Sequence, residues 1–208
     1  MRAITNLTRC FGLAACVALA AFVAPVAMAG DAYTSPKGFS LTPPDGWKIA
    51  DKTLNAEVGD VAKKQFPALA SADFDKMAVM ILNPDDEGKS NINVVVNPGA
   101  LPIDQPGIED ELSSALSAQY KQMGVDVSHL TVTHKTFGTT KTLFVEYDMN
   151  ISGASMHQWQ IFEVTSDKMF IVTCTAPVDK FKDVAPVFTK VIESMKVGDA
   201  AAKPDAGK

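Results

Sequence analysis

The alternation of apolar and polar residues between Leu143 and Ile151 constrains the fold more than any other feature of this chain. Every second residue there is apolar, in the order Leu143, Val145, Tyr147, Met149 and Ile151. A period of two residues is typical of a half-buried β-strand, because successive side chains of a strand point to opposite faces. Ser152-Gly153 and Ser166-Asp167 are turn dipeptides, and each precedes a further apolar run. The segment from Leu130 to Ala176 is therefore predicted to form an antiparallel meander.

Helical spacing of apolar residues predicts helices outside this meander. The clearest runs from Ile108 to Met123, with three acids in its first turn and Gly124 placed to end it. A second amphipathic helix is predicted from Phe181 to Met195, with Pro186 in its first turns, where a missing N–H is tolerated. A third is predicted from Leu54 to Phe66.

Three short apolar runs outside the meander are predicted to be strands, at Phe39–Leu41, Met77–Leu82 and Ile92–Val96. Strands, a helix, more strands and a last helix are typical of an α+β domain, in which an antiparallel sheet is flanked by helices. We expect one such domain over residues 30–197. Residues 198–208 consist of small and charged residues and are predicted to be a disordered tail.

The first 29 residues have the pattern of a secretory signal peptide. Two arginines precede an apolar run from Phe11 to Val26, and Ala27-Met28-Ala29 forms a cleavage site. The run of about 16 residues is too short to span a bilayer. The sequence thus predicts a periplasmic protein that begins at Gly30. An alternative remains, because Leu13-Ala-Ala-Cys16 resembles a lipoprotein box and would tether the chain through Cys16.

The charges and the titratable residues exclude several classes of function. No arginine follows Arg9, and acids outnumber the remaining lysines, which argues against binding to nucleic acids. His129, His134 and His157 lack the spacing of metal ligands. There is no phosphate loop and no Gly-x-Ser-x-Gly elbow. We therefore predict no catalytic, cofactor-binding or metal-binding residues, and no cofactor.

The predicted hairpins suggest one catalytic alternative. If both turns have two-residue loops, Asp148 lies opposite His157, Glu146 opposite Trp159, and Trp159 opposite Cys174. Cys174, His157 and Asp148 would then share a face, as the nucleophile, base and orienting acid of a thiol-dependent hydrolase or transferase. A strand cysteine among apolar neighbours is more often a buried hydrophobic residue, so exposure of the Cys174 thiol decides between the two interpretations.

Methionines are frequent on the predicted strands, at Met77, Met80, Met149, Met156 and Met169. Thioether side chains adapt to varied apolar partners, so a groove lined by methionine would suit a promiscuous binder or a chaperone. The alternative, which we favour, is that these methionines fill the core.

The segment Phe39-Ser-Leu-Thr-Pro-Pro-Asp-Gly-Trp47 resembles the opening of DcrB-like periplasmic proteins, which have the PsbP/Mog-like α/β/α sandwich. Lys168–Ala176 and the run from Phe181 to Val197 resemble the closing strand and helix of that family. The resemblance implies a non-enzymatic accessory or binding protein, with a chaperone-like role as one form that this function can take. Its expected partner is another envelope protein or an apolar peptide segment, bound at the sheet or at a groove beside it.

Overall fold

Ten strands and two helices form the part of the chain that the computed structural model describes, which comprises residues 31–50, 76–151 and 153–198. In chain order the elements are β1 (Tyr33–Ser35), β2 (Phe39–Leu41), β3 (Lys48–Ile49), β4 (Met77–Leu82), β5 (Asn91–Pro98), α1 (Ile108–Met123), β6 (Asp126–Phe137), β7 (Thr140–Ile151), β8 (Ala154–Val164), β9 (Lys168–Pro177), α2 (Phe181–Ser194) and β10 (Lys196–Val197). The predicted signal peptide, the predicted helix from Leu54 to Phe66 and residues 199–208 lie outside the described residues.

A seven-stranded antiparallel sheet is the centre of the fold, with strands in the order β3-β4-β5-β9-β8-β7-β6. Strands β6 to β9 form the predicted meander. The register of its central hairpin is the predicted one, because Ile151 pairs with Ala154 and Met149 with Met156. The next hairpin is also confirmed: Thr165 N–H donates to Lys168 O, which leaves Ser166-Asp167 as the loop.

Helix α1 covers one face of the large sheet. It spans the predicted residues and ends at Gly124, whose φ of 70° suits glycine. Tyr120 of α1 reaches the sheet, where its hydroxyl donates to that of Tyr147 over 2.6 Å. All five strand methionines are buried in the core on this side of the sheet. They are core residues, as the favoured interpretation predicted.

Helix α2 and a small sheet of order β1-β2-β10 cover the opposite face. The Phe39 ring of β2 meets Phe170 of β9 edge to face, with the centroids 6.0 Å apart. Trp47 makes the same kind of contact with Phe188 of α2. The two covered faces give the predicted α+β sandwich of an antiparallel sheet between helices.

Glu163 of β8 is the one buried acid among the described residues, and it lies on the face that carries the small sheet. It lies opposite Phe170 and is 6% exposed. Burial disfavours its ionised form and raises the pKa of Glu163 to about 7.

Candidate functional site

An open groove of about 600 Å³ lies between α2 and the neighbouring strands β7 and β8. Its floor comes from alternate residues of the two strands, which therefore share one face of the sheet. Its wall comes from α2 and from the turn before that helix. The groove is lined by Glu146, Asp148, His157, Trp159, Val178, Phe181, Lys182, Ala185, Pro186 and Thr189.

The floor is a cross-strand square of four side chains. Glu146 pairs with Trp159 and Asp148 pairs with His157, as the hairpin register predicted. Because both pairs lie on the same face, two carboxylates, an imidazole and an indole are brought into contact at one place.

Hydrogen bonds connect the four side chains. His157 Nδ1 lies 2.6 Å from Asp148 Oδ1, and His157 Nε2 lies 2.9 Å from Glu146 Oε1. Trp159 Nε1 donates to the same Glu146 oxygen over 2.9 Å. An ionised carboxylate only accepts, so both nitrogens of His157 can donate together only when the imidazole is protonated. The floor is thus one linked hydrogen-bond network.

His129 joins this network, which its position in the sequence did not indicate. It lies in a β-bulge of β6 between Ser128 and Thr131, with φ at 57°. Its Nδ1 lies 2.8 Å from Asp148 Oδ2, while the side chain remains 81% exposed. Desolvation disfavours the ionised form of Asp148, but hydrogen bonds from His157 and His129 outweigh it and lower the pKa of Asp148.

The aromatic ring of Phe181, in the first turn of α2, covers the floor. Its centroid is 4.0 Å from that of His157 and 5.0 Å from that of Trp159. Within the sheet, the Lys135 ammonium of β6 lies 3.8 Å from the Phe144 centroid and 5.1 Å from that of Trp159. The two ring contacts of Phe181 join α2 to the sheet at the groove.

Cys174 has the predicted register but does not line the groove. It lies opposite Trp159, is fully buried, and belongs to the core beneath α2. Burial raises the pKa of the thiol, so a thiolate is strongly disfavoured at neutral pH. Because the Cys174 thiol is buried, the structure argues against the hydrolase or transferase interpretation.

The third histidine of the sequence, His134, is also held by contacts within the fold. His134 is held by Glu109 at 2.7 Å and by the Ile103 carbonyl at 2.8 Å. Within the described ranges, no three side chains among His, Cys, Asp and Glu are arranged to hold a metal ion. Neither described helix has the length and apolar character needed to cross a membrane.

Comparison with known proteins identifies the fold. No family model and no curated protein matches the chain. The solution structure of cyanobacterial PsbP (CyanoP) from Synechocystis sp. PCC 6803 is similar, with a TM-score of 0.57 and 13% identity over 85% of this chain and 97% of that one. A crystal structure from Bacteroides thetaiotaomicron VPI-5482 has a TM-score of 0.48 and 14% identity, over 87% of this chain and 51% of that one. The crystal structure of LpqN, a protein involved in cell envelope biogenesis of Mycobacterium tuberculosis, has a TM-score of 0.45 and 12% identity, over 77% of this chain and 83% of that one.

At 13% identity, the likeness to CyanoP shows the fold alone. The predicted PsbP-like fold is therefore confirmed. Assignment to the DcrB-like family remains a prediction, since no family model matches.

Proposed function

We propose that this chain is a non-enzymatic accessory protein of the bacterial envelope that binds an apolar segment of another exported protein in the groove beside α2. One observation carries the proposal. Among the residues that the structure describes, Val178 is the one large hydrophobic side chain that is exposed, at 45%, and it lines this groove. An open groove lined by apolar side chains such as Val178, Phe181 and Ala185 is typical of a place where another molecule binds.

The composition of the groove supports binding rather than catalysis. Its wall includes Ala185 and Pro186 next to Phe181, a surface that suits aliphatic side chains. The polar groups of the floor hydrogen-bond one another. The one cysteine in the described ranges, Cys174, is buried in the core beneath α2.

The envelope location in this proposal depends on the predicted signal peptide, with cleavage after Ala29. The mass of the mature N-terminus tests it, because cleavage at that site leaves an unmodified Gly30. A lipid on Cys16 would instead support the tethered alternative. Resemblance to DcrB-like proteins adds the expectation that the partner is another envelope protein.

A pair of photo-crosslinking variants tests the use of the groove. Lys182 lines it and is exposed, while Lys121 is exposed on α1, on the other side of the sheet. A photoreactive phenylalanine at each position, expressed in a bacterial periplasm, should crosslink a partner from position 182 and not from position 121. Mass spectrometry of the adduct should then identify an exported protein and an apolar segment within it.

A blocking variant makes this test specific. Pro186 is exposed in the groove, so Pro186→Arg fills the space with a side chain that helices accept well. It should abolish crosslinking from position 182. The matched control Ala118→Arg, at an exposed site of α1, should leave crosslinking unchanged. Crosslinks that persist in Pro186→Arg, or that form equally from both lysine positions, would contradict binding in the groove.

A further inference from the structure

Glu146 still has an acceptor available towards the groove. Its Oε1 takes hydrogen bonds from both His157 and Trp159, whereas no donor in the described part of the chain contacts its Oε2. The side chain is 36% exposed and lines the groove. An ionised carboxylate has about four lone-pair sites, so Glu146 can bind a further donor without losing those it has.

Two carboxylates lie in the floor, and no lysine is paired with either of them in the described structure. Glu146 and Asp148 both line the groove, and among the residues that the structure describes their ion-pair partners are imidazoles. Lys182 of α2 also lines the groove, but it forms no ion pair with either carboxylate in the described structure. Lys135 of β6 is held over the rings of Phe144 and Trp159. A further carboxylate, brought in by a partner, would meet two carboxylates at the floor, neither of them paired with a lysine in the described structure.

Aromatic rings lie next to the available carboxylate. Trp159 and Phe181 line the same groove, with their centroids 5.0 Å apart and their planes inclined at 74°. Tryptophan is the ring that best attracts a cation, and the Lys135 ammonium already lies 5.1 Å from its centroid. The aliphatic stem of a lysine or arginine could also pack against the apolar wall.

We infer that the segment bound in this groove carries a lysine or arginine, whose cationic head docks on Glu146 beside Trp159 while its stem lies against Phe181 and Ala185. This inference rests on the proposed function, because it names the chemistry of the groove's occupant. A purely apolar occupant would remove water from Glu146 and supply no donor in return. A basic residue among apolar ones would donate to Glu146 in the floor, while its apolar neighbours pack against the wall formed by α2.

Selection from a library of random peptides displayed on phage tests both ideas without a known partner. Wild-type protein and the Pro186→Arg variant are used as parallel targets. We expect peptides that bind the wild type but not Pro186→Arg, and we expect them to carry lysine or arginine flanked by apolar residues. Ala118→Arg serves as the control target and should retain them.

The strongest peptide is then synthesised with its basic residue intact and with norleucine in its place. Fluorescence anisotropy should show about tenfold weaker binding of the norleucine peptide, the loss expected for one charge-assisted hydrogen bond. Glu146→Gln should weaken the lysine peptide and leave the norleucine peptide unchanged. Added salt should weaken the lysine peptide selectively. The comparison of the lysine and norleucine peptides on the wild-type protein does not depend on a variant, so it tests the inference even if Glu146→Gln folds poorly.

The outcomes separate the two proposals. Groove-dependent peptides that lack a basic residue, or equal affinity of the lysine and norleucine peptides, would overturn this inference and leave the proposed function standing. If no selected peptide depends on the groove, both are wrong.

Discussion

Glu163 makes the stability of this protein depend on pH in a direction opposite to that of most acids. Burial raises its pKa to about 7 from an ordinary value of 4.5. Between these two pH values the folded state binds a proton that the unfolded state has released. The free energy of unfolding therefore falls as the pH rises through this window. Below this window Glu163 is protonated in both the folded and the unfolded state, and its ionisation does not reduce the stability. Above about pH 7 Glu163 is ionised in both states, and the loss of folding free energy is complete.

The size of the effect follows from the pKa difference. One pKa unit corresponds to about 1.4 kcal/mol, so ionised Glu163 destabilises the folded state by about 3 kcal/mol above pH 7. For a single domain this is a large share of a total of about 5–15 kcal/mol.

Urea unfolding of the wild type and of Glu163→Gln across this window measures the penalty. Glutamine has nearly the shape of protonated glutamate and no charge. The two proteins should thus have similar free energies of unfolding near pH 4.5. As the pH rises, Glu163→Gln should become more stable than the wild type, by about 3 kcal/mol at about pH 8. Glu193→Gln, at an exposed site of α2, is the matched control and should show no such trend. A stability difference between Glu163→Gln and wild type that stays constant with pH would refute the assignment of Glu163 as a buried, uncompensated acid.

Two further predictions test the site and its surroundings. Cys174 should resist alkylation at neutral pH in the native protein and react once urea unfolds it, because the thiol is fully buried; rapid labelling of the folded protein would bring back the thiol-dependent alternative. His129 has a φ of 57°, so His129→Val should be less stable to urea than His129→Gly by about 1–2 kcal/mol, since a β-branched residue is strained in that conformation. Equal stability of these two variants would show that the bulge does not hold this conformation in solution.

The sequence could predict the pairs in the floor of the groove because they depend on local rules. A two-residue turn sets the register of a hairpin, and a period of two sets the face of each side chain. Together they place Asp148 opposite His157 and Glu146 opposite Trp159. The bounds of α1 were equally predictable, because its apolar spacing, its acidic first turn and Gly124 all indicate the same ends.

His129 could not be assigned to the site in this way. A β-bulge between Ser128 and Thr131 shifts the register of β6 and turns the backbone of His129 to a positive φ. A regular alternation does not reveal such a bulge, since its position is set by how β6 pairs with β7 rather than by the residues near His129 alone.

The local pattern of the chain by itself determined the strands of the meander, their partners and the faces of their side chains. It did not determine which part of a face is open. His157, Trp159 and Glu163 lie on the same face of β8, yet the first two line a groove and the third is buried opposite Phe170. Only the tertiary structure decided this, because α2 and the small sheet come from distant parts of the chain, and their packing on this face leaves one end of it open and covers the other.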